Sequence, residues 1–276
     1  VCAAKGVKAL LFDRQVPTPV LAWNITTVGA AAGVMVTASH NPAADNGYKV
    51  YLGTGSQIVP PADTDISACI DLVDTCAVTL APADHPLIER LGDAEVEAYL
   101  ASVPMVRLRP DVPGVAVAYT AMHGVGGATA LAAFERAGLP APSVVAQQQQ
   151  PDGMFPTVPF PNPEEPGAMD LVLALAASSG AALAVANDPD ADRLGAAIPT
   201  ADGSWRKLGG DEIGWLLADH ILANTSSDDR LVVTTLVSSS LLGAMARAYG
   251  VACLETYTGF KWIGHTALAH PELRFM

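Results

Sequence analysis

Directly behind the apolar run Val34-Met35-Val36, the stretch "ASHNPAADNGYK" places Ser39, His40, Asn41, Asp45, Asn46 and Lys49 within eleven positions. A hydroxyl, an imidazole and an ammonium are thereby set side by side at the end of what reads as a buried strand. The C-terminal end of a strand is the edge at which open α/β sheets bind ligands. Spacing alone also fits a plain turn, since Asn41-Pro42 and Asp45-Asn46-Gly47 supply turn chemistry. The clustering of Ser39, His40 and Lys49 is what favours chemistry over a turn.

A second constellation is "NDPDADR", residues 187–193. Carboxylates at Asp188, Asp190 and Asp192 can converge on one hard divalent cation only from a loop, and Pro189 disfavours a helix there. Oxygen ligands of this kind suit magnesium, calcium or manganese. A calcium-binding EF-hand is excluded, because Arg193 stands where that loop needs glycine and Pro199 where it needs glutamate. A solvated acidic turn is the simpler alternative, but three clustered anions repel one another without a cation.

Two further stretches are less specific. In "TYTGFKWIG" (256–264), Tyr257, Thr258, Gly259 and Lys261 follow a strand and read as a loop touching a polar ligand; an exposed lysine beside packed Phe260 and Trp262 fits equally well. "HGVGG" (123–127) opens a helix with glycines and has the form of an anion site at a helix N-terminus. It lacks the third glycine of the dinucleotide fingerprint, where Thr129 stands, and no phosphate-loop motif occurs, so nucleotide binding is disfavoured.

The elements expected to carry these stretches alternate. A helix end over residues 1–6 precedes a strand at 7–12, a helix to about residue 29, and a strand at 33–37 that runs into the serine loop. Helical spacing recurs at 61–76 and 93–101, and the prolines of 103–114 mark a boundary near Leu108. A second unit runs through strand 115–119, helix 128–137, strand 143–146, helix 169–179 and strand 182–186 into the aspartate loop. A third runs through a helix around 211–221, strand 231–235, helix 241–249 and strand 251–255. The expected theme is strand, functional loop, helix, three times, with the glutamine run 147–150 as plain loop.

Composition narrows the partners. The 276 residues are 50% hydrophobic but only 6% aromatic, which suits a close-packed α/β protein of two or three domains. Twenty-eight acidic residues against fifteen basic ones, net −13, disfavour nucleic acid and require a local cluster of cations or metal for any anionic substrate. The cysteines Cys2, Cys69, Cys76 and Cys253 form no C-x-x-C pair, so a reducing, cytoplasmic setting is expected, with no membrane span.

"TASHNP", "DNGYKVY", "DPDADR" and "TGFKWIG", in this order, closely resemble the α-D-phosphohexomutase superfamily of phosphoglucomutases and phosphomannomutases. The proline of "DPDADR" and the wordings "YTAMHGVG" and "TGFKWIG" are most similar to the branch that holds phosphopentomutases and a glucose-1,6-bisphosphate synthase beside bacterial phospho-sugar mutases. The resemblance implies consecutive three-layer α/β/α domains with mixed, mainly parallel sheets. Here these would be domain I at 1–107, incomplete at its start, domain II at 108–206, and domain III at 207–276, incomplete at its end. It further implies that family members extend beyond both ends, that their fourth domain has no counterpart here, and that a chain of this extent is inactive or feebly active.

For the site, the resemblance implies that Ser39 is a phosphoserine and that Asp188, Asp190 and Asp192 hold Mg2+ against a phosphoserine oxygen. His40 and Lys49 would bind phosphate or move protons, Arg193 would fix the phosphoserine or a substrate oxygen, and Lys261 would serve the incoming hydroxyl. Thr258, Gly259, Lys261 and His123 would contact the phosphorylated sugar. The implied activity interconverts 1-phospho and 6-phospho forms of glucose or mannose, with glucose 1,6-bisphosphate or an equivalent as activator. Alternatives are a phosphopentomutase, a sugar-1,6-bisphosphate synthase, a non-catalytic binding module and, least favoured, a phosphatase with Asp188 as nucleophile.

Overall fold

In the computed structural model, which describes residues 1–276, residues 1–6 form no regular α-helix. They make a 3-10 turn at Ala3–Lys5, closed by Gly6 at φ 76°. Strand β1 (Ala9–Phe12) and helix α1 (Thr18–Thr27) follow, with Pro17 and Pro19 presetting the backbone where α1 starts. Next come β2 (Ala32–Val36), β3 (Tyr48–Leu52), α2 (Ala62–Asp71), β4 (Ile88–Leu91) and α3 (Asp93–Ser102).

This first unit departs from the expected strand–helix–strand rhythm. β1 pairs in parallel with β4, whereas β2 turns back through the serine loop and pairs antiparallel with β3. Strand β3 escaped the sequence reading because its alternation, Tyr48-Lys49-Val50-Tyr51, contains the charged Lys49. The strand ahead of Ser39 is also not buried throughout: Val34 is 54% and Val36 73% exposed. Opposed residues of an antiparallel pair share a face. Met35 and Lys49 are paired, and with Gly33 and Tyr51 they make the inward face; Val34, Val36 and Tyr48 take the outward one.

The second unit contains β5 (Val117–Thr120), α4 (Gly127–Arg136), β6 (Ser143–Val144), α5 (Asp170–Ser179), β7 (Leu183–Asn187), β8 (Leu194–Pro199) and β9 (Trp205–Lys207). They form one five-stranded sheet ordered β6-β5-β7-β8-β9, parallel through β6, β5 and β7 and antiparallel beyond. Here the main core lies: Ala118, Ala184, Ala186, Val172 and Ala176 are wholly buried as α5 packs on the central strands. Small side chains at these positions let the helix approach the sheet closely. The proline-rich stretch before β5 is folded down by Arg107, which donates to the carbonyls of Val112 and Gly138.

The third unit comprises α6 (Gly210–Ala223), β10 (Arg230–Thr235), α7 (Leu241–Tyr249), β11 (Ala252–Thr256), α8 (Phe260–Leu268) and β12 (Arg274–Phe275). β10 is central, parallel to both β11 and β12. Most of "TGFKWIG" is therefore not loop, because α8 begins at Phe260. Across the chain the pairings are mixed and mainly parallel, as expected. The repeated theme is corrected: the serine loop leads into β3 and the aspartate loop into β8, whereas "HGVGG" opens α4 and "TGFKWIG" opens α8. No helix is long and apolar enough to cross a membrane.

Candidate active site

The serine loop is a hairpin connection closed at its base by the Thr37 N–H, which donates to Gly47 O at 3.0 Å. Within it Ser39 adopts φ 57°, a left-handed conformation unusual for a residue with a Cβ. Its own N–H donates to Thr37 Oγ1 at 2.8 Å, which helps hold that conformation. Local strain of roughly 1–3 kcal/mol is retained where a side chain must be aimed. Ser39 Oγ lies 3.2 Å from His40 Nδ1, 3.4 Å from Lys49 Nζ and 3.4 Å from Asp190 Oδ1. Lys49 reaches this point because the β2–β3 register puts it on the inward face.

Asp190 belongs to the facing unit, on the turn between β7 and β8. That turn is held from several sides. Asn187 Nδ2 donates to Arg193 O at 2.8 Å, and the Arg193 N–H donates to Asp188 Oδ1 at 2.9 Å. The Val125 N–H donates to Pro189 O at 2.8 Å. From the start of α1, Thr18 gives its N–H to Asp190 O and its hydroxyl to Asp190 Oδ2, both at 2.9 Å.

One carboxylate oxygen from each of Asp188, Asp190 and Asp192 lies within 4.8 Å of the others. Asp188 is completely buried, yet its Oδ2 has no hydrogen-bond partner, and neither does Asp192 Oδ1. Buried carboxylate oxygens without partners are costly, and a hard divalent cation would satisfy both at once. The donor set therefore fits a metal such as Mg2+.

Without a cation, burial pushes the Asp188 carboxyl well above the usual carboxylate range, with the charges of Asp190 and Asp192 adding to the effect. For Asp190, burial acts in the same direction, but hydrogen bonds and the Lys49 ammonium outweigh it and hold the pKa down. The folded, metal-free protein thus keeps a proton on Asp188 that the unfolded chain has released. Stability from this group is complete below about pH 4 and is lost as pH rises through the raised pKa. Asp188→Asn is expected to stabilise the metal-free protein, with a Tm advantage that is small near about pH 5 and larger near about pH 8. A constant or shrinking advantage across thermal melts would contradict this.

Two glycines of "HGVGG" serve a close approach of two chain segments. A Cβ on Gly124 would collide with the backbone of Pro189, and one on Gly126 would press on Ala191 at 2.6 Å. They let the turn before α4 lie flat against the aspartate loop. Gly124→Ala is expected to destabilise the fold by about 2 kcal/mol through overpacking. It should also weaken divalent-ion binding, measurable by calorimetry alongside the thermal melt.

Of the other expected site residues, His123 is buried at φ 61°, its Nε2 2.8 Å from Thr157 Oγ1, and it lines a cavity of about 550 Å³ together with Ser39, Asn41 and Asp190. Arg193 is exposed beside the aspartate loop. Gly259 caps α8, and the Lys261 ammonium lies 5.5 Å from the Trp262 ring centre. Lys261 and Thr258 make no hydrogen bond to Ser39 or the aspartates; the same unit instead sends Phe260, Ile263 and Gly264 to a cavity of about 830 Å³ shared with Tyr51 and Asp192.

Several residues that shape the site had gone unremarked in the sequence. Thr18 pins the aspartate loop. Tyr51, its phenol pushed up to about 12 by burial, lies next to Asp192. Gln148, from the supposed plain glutamine run, is buried and accepts from the Thr120 hydroxyl at 2.6 Å while donating to Thr157 at 2.9 Å, and so braces His123. Only the proline–threonine start of a helix, in the case of Thr18, left a sequence signal.

With this geometry in view, the comparisons with known proteins are direct. Sequence models of phosphoglucomutase/phosphomannomutase α/β/α domains I, II and III match residues 1–75, 96–203 and 209–274. A protein of Haemophilus influenzae named "Probable phosphomannomutase" is 46% identical over 96% of this chain and 55% of its own length. Phosphopentomutase of Homo sapiens is 35% identical over 96% of this chain and 46% of its own. The chain spans about half the length of the curated relatives it matches. Among solved structures, a phosphoglucomutase/phosphomannomutase family protein from Burkholderia thailandensis superposes with a TM-score of 0.74 at 24% identity, over 97% of this chain and 55% of that one, and so shares the fold. Three domain matches in the family's own order, laid over a serine loop that faces an aspartate loop, establish that the chain belongs to the phosphoglucomutase/phosphomannomutase family.

Proposed function

We propose that this chain carries the phosphoryl-transfer machinery of a phospho-sugar mutase, which interconverts 1-phospho and 6-phospho forms of glucose or mannose through a phosphoserine at Ser39. The observation that carries the reading is the approach of Ser39 Oγ to Asp190 Oδ1, 3.4 Å across two domains. A sugar hydroxyl attacks the phosphorus held on Ser39 Oγ; the new phosphorus–oxygen bond forms as the bond to Oγ breaks. The sugar hydroxyl loses its proton, and Ser39 recovers one. The resulting bisphosphorylated sugar, with glucose 1,6-bisphosphate as the activating form, reorients and returns its other phosphoryl group to Ser39.

Each side chain has a place in that scheme. His40 is kept neutral by burial first and by Arg193 second, which suits it to exchange a proton at Ser39 Oγ from 3.2 Å. Lys49 stays protonated: burial opposes its charge, but hydrogen bonds to Asp190 and Asp192 prevail, so it acts as a cation at the phosphoryl group. Mg2+ on Asp188, Asp190 and Asp192 would supply hard positive charge for the phosphoserine oxygens. In this reading the exposed Arg193 guanidinium grips phosphate, and Thr258, Gly259, Lys261 and His123 are the residues assigned to the sugar phosphate. Complete burial of Asp188 argues against the phosphatase alternative, since a nucleophile must reach its substrate.

The test is to incubate the protein with glucose 1,6-bisphosphate and Mg2+ and map added phosphoryl groups by peptide mass spectrometry. Phosphate on Ser39 that disappears when a hexose monophosphate is added supports the reading; an unmodified Ser39 counts against it. Identity to a phosphopentomutase favours a second reading with a pentose phosphate as substrate. Discharge by ribose 5-phosphate rather than glucose 6-phosphate would select it.

A further inference from the structure

Lys49 crosses from one domain to the other. Its Nζ donates to Asp190 Oδ2 at 2.7 Å and to Asp192 Oδ2 at 2.6 Å, with only 18% of the side chain exposed. These bonds use one oxygen of each carboxylate. Asp192 Oδ1 stays unpartnered, as does Oδ2 of the wholly buried Asp188, and Asp190 Oδ1 faces Ser39. With Asp188 holding a proton in the ion-free state, the Lys49 ammonium faces the two charged carboxylates, Asp190 and Asp192. Resting on the metal reading above, we propose that Lys49 is the resident cation of the aspartate loop, and that a divalent ion, on binding, turns its ammonium from Asp190 and Asp192 toward Ser39 Oγ.

The physical case has two parts that point the same way. Without an ion, Lys49 relieves repulsion among the carboxylates and ties the serine hairpin to the aspartate loop, so it stabilises the ion-free state. With an ion bound, the same ammonium is a like charge close by, in a site where water screens poorly. Lysine sits on a flexible stem with three donors, and its third neighbour is already within reach: Ser39 Oγ at 3.4 Å. Ion loading would thereby deliver a cation to the group that carries the phosphoryl.

The experiment measures Mn2+ binding by isothermal calorimetry with no sugar phosphate present. Lys49→Met is expected to bind Mn2+ about ten-fold more tightly than wild type, because both a competitor and a repelling charge are gone. Lys49→Arg, which keeps the charge, should stay near wild type, and metal-free Lys49→Met should melt lower and recover with Mn2+. Wild-type protein supplies a check that needs no variant: reductive methylation mapped by mass spectrometry should modify Lys49 faster, relative to exposed Lys8, when Mn2+ is present. Equal or weaker Mn2+ binding by Lys49→Met, or a methylation rate indifferent to Mn2+, overturns the proposal and leaves the metal reading standing. Mn2+ binding by neither protein overturns both.

Discussion

Ser39→Ala is expected to cut the proposed phosphoryl transfer from glucose 1,6-bisphosphate to the protein by a factor on the order of 10⁴ or more. The reasoning is geometric. Ser39 is the one hydroxyl placed within 3.4 Å of His40 Nδ1, Lys49 Nζ and Asp190 Oδ1 together. Thr37, two residues away, already spends its hydroxyl oxygen on the Ser39 N–H and offers no substitute. Alanine tolerates φ 57° no better than serine does, so the variant should fold about as well as wild type, and thermal melts can separate chemistry from stability. Persistent phosphoryl incorporation in the variant, seen by intact-mass measurement, would remove Ser39 from the scheme.

Asp190→Ala should have the second-largest effect. This carboxylate is the hub of the interface: it accepts from Thr18 and Lys49 and faces Ser39. Its loss takes away one of the three carboxylates that fit a divalent ion and leaves the Thr18 hydroxyl without its partner. Divalent-ion affinity should fall about 100-fold or more, and phosphoryl transfer by roughly 10³, the scale of several kcal/mol of lost charge stabilisation. Chelation of the wild-type protein should produce a comparable rate loss that Mg2+ reverses, whereas Mg2+ should not restore the variant. A variant that responds to Mg2+ like wild type would mean that Asp190 is not a ligand.

Much of this architecture was legible beforehand. Helices such as α5 and α7 announce themselves by apolar content and a closing glycine, Gly180 or Gly250 in the left-handed conformation. Among the strands that failed, β3 contains Lys49, β4 is four residues with Glu89 and Arg90 at its centre, and β8, six uncharged residues, is made largely of glycine, alanine and proline. Such strands are specified by their partners across a sheet more than by their own residues. The "HGVGG" turn has the composition of an anion site, yet its glycines serve a close approach to Pro189, a neighbour more than sixty positions away.

Residue types and local spacing alone determined that a hydroxyl, an imidazole and an ammonium share one loop, that three carboxylates share another, and which family such a set resembles. Only the tertiary structure decided that these two loops meet, that Lys49 spans them, and that Thr18 and Gly124 brace the aspartates. Turn chemistry and charge spacing are written within a few residues of sequence, so they can be read locally. Contacts such as Ser39 to Asp190 depend on how two separately folded sheets pack, and that is set by burial and shape across the whole chain.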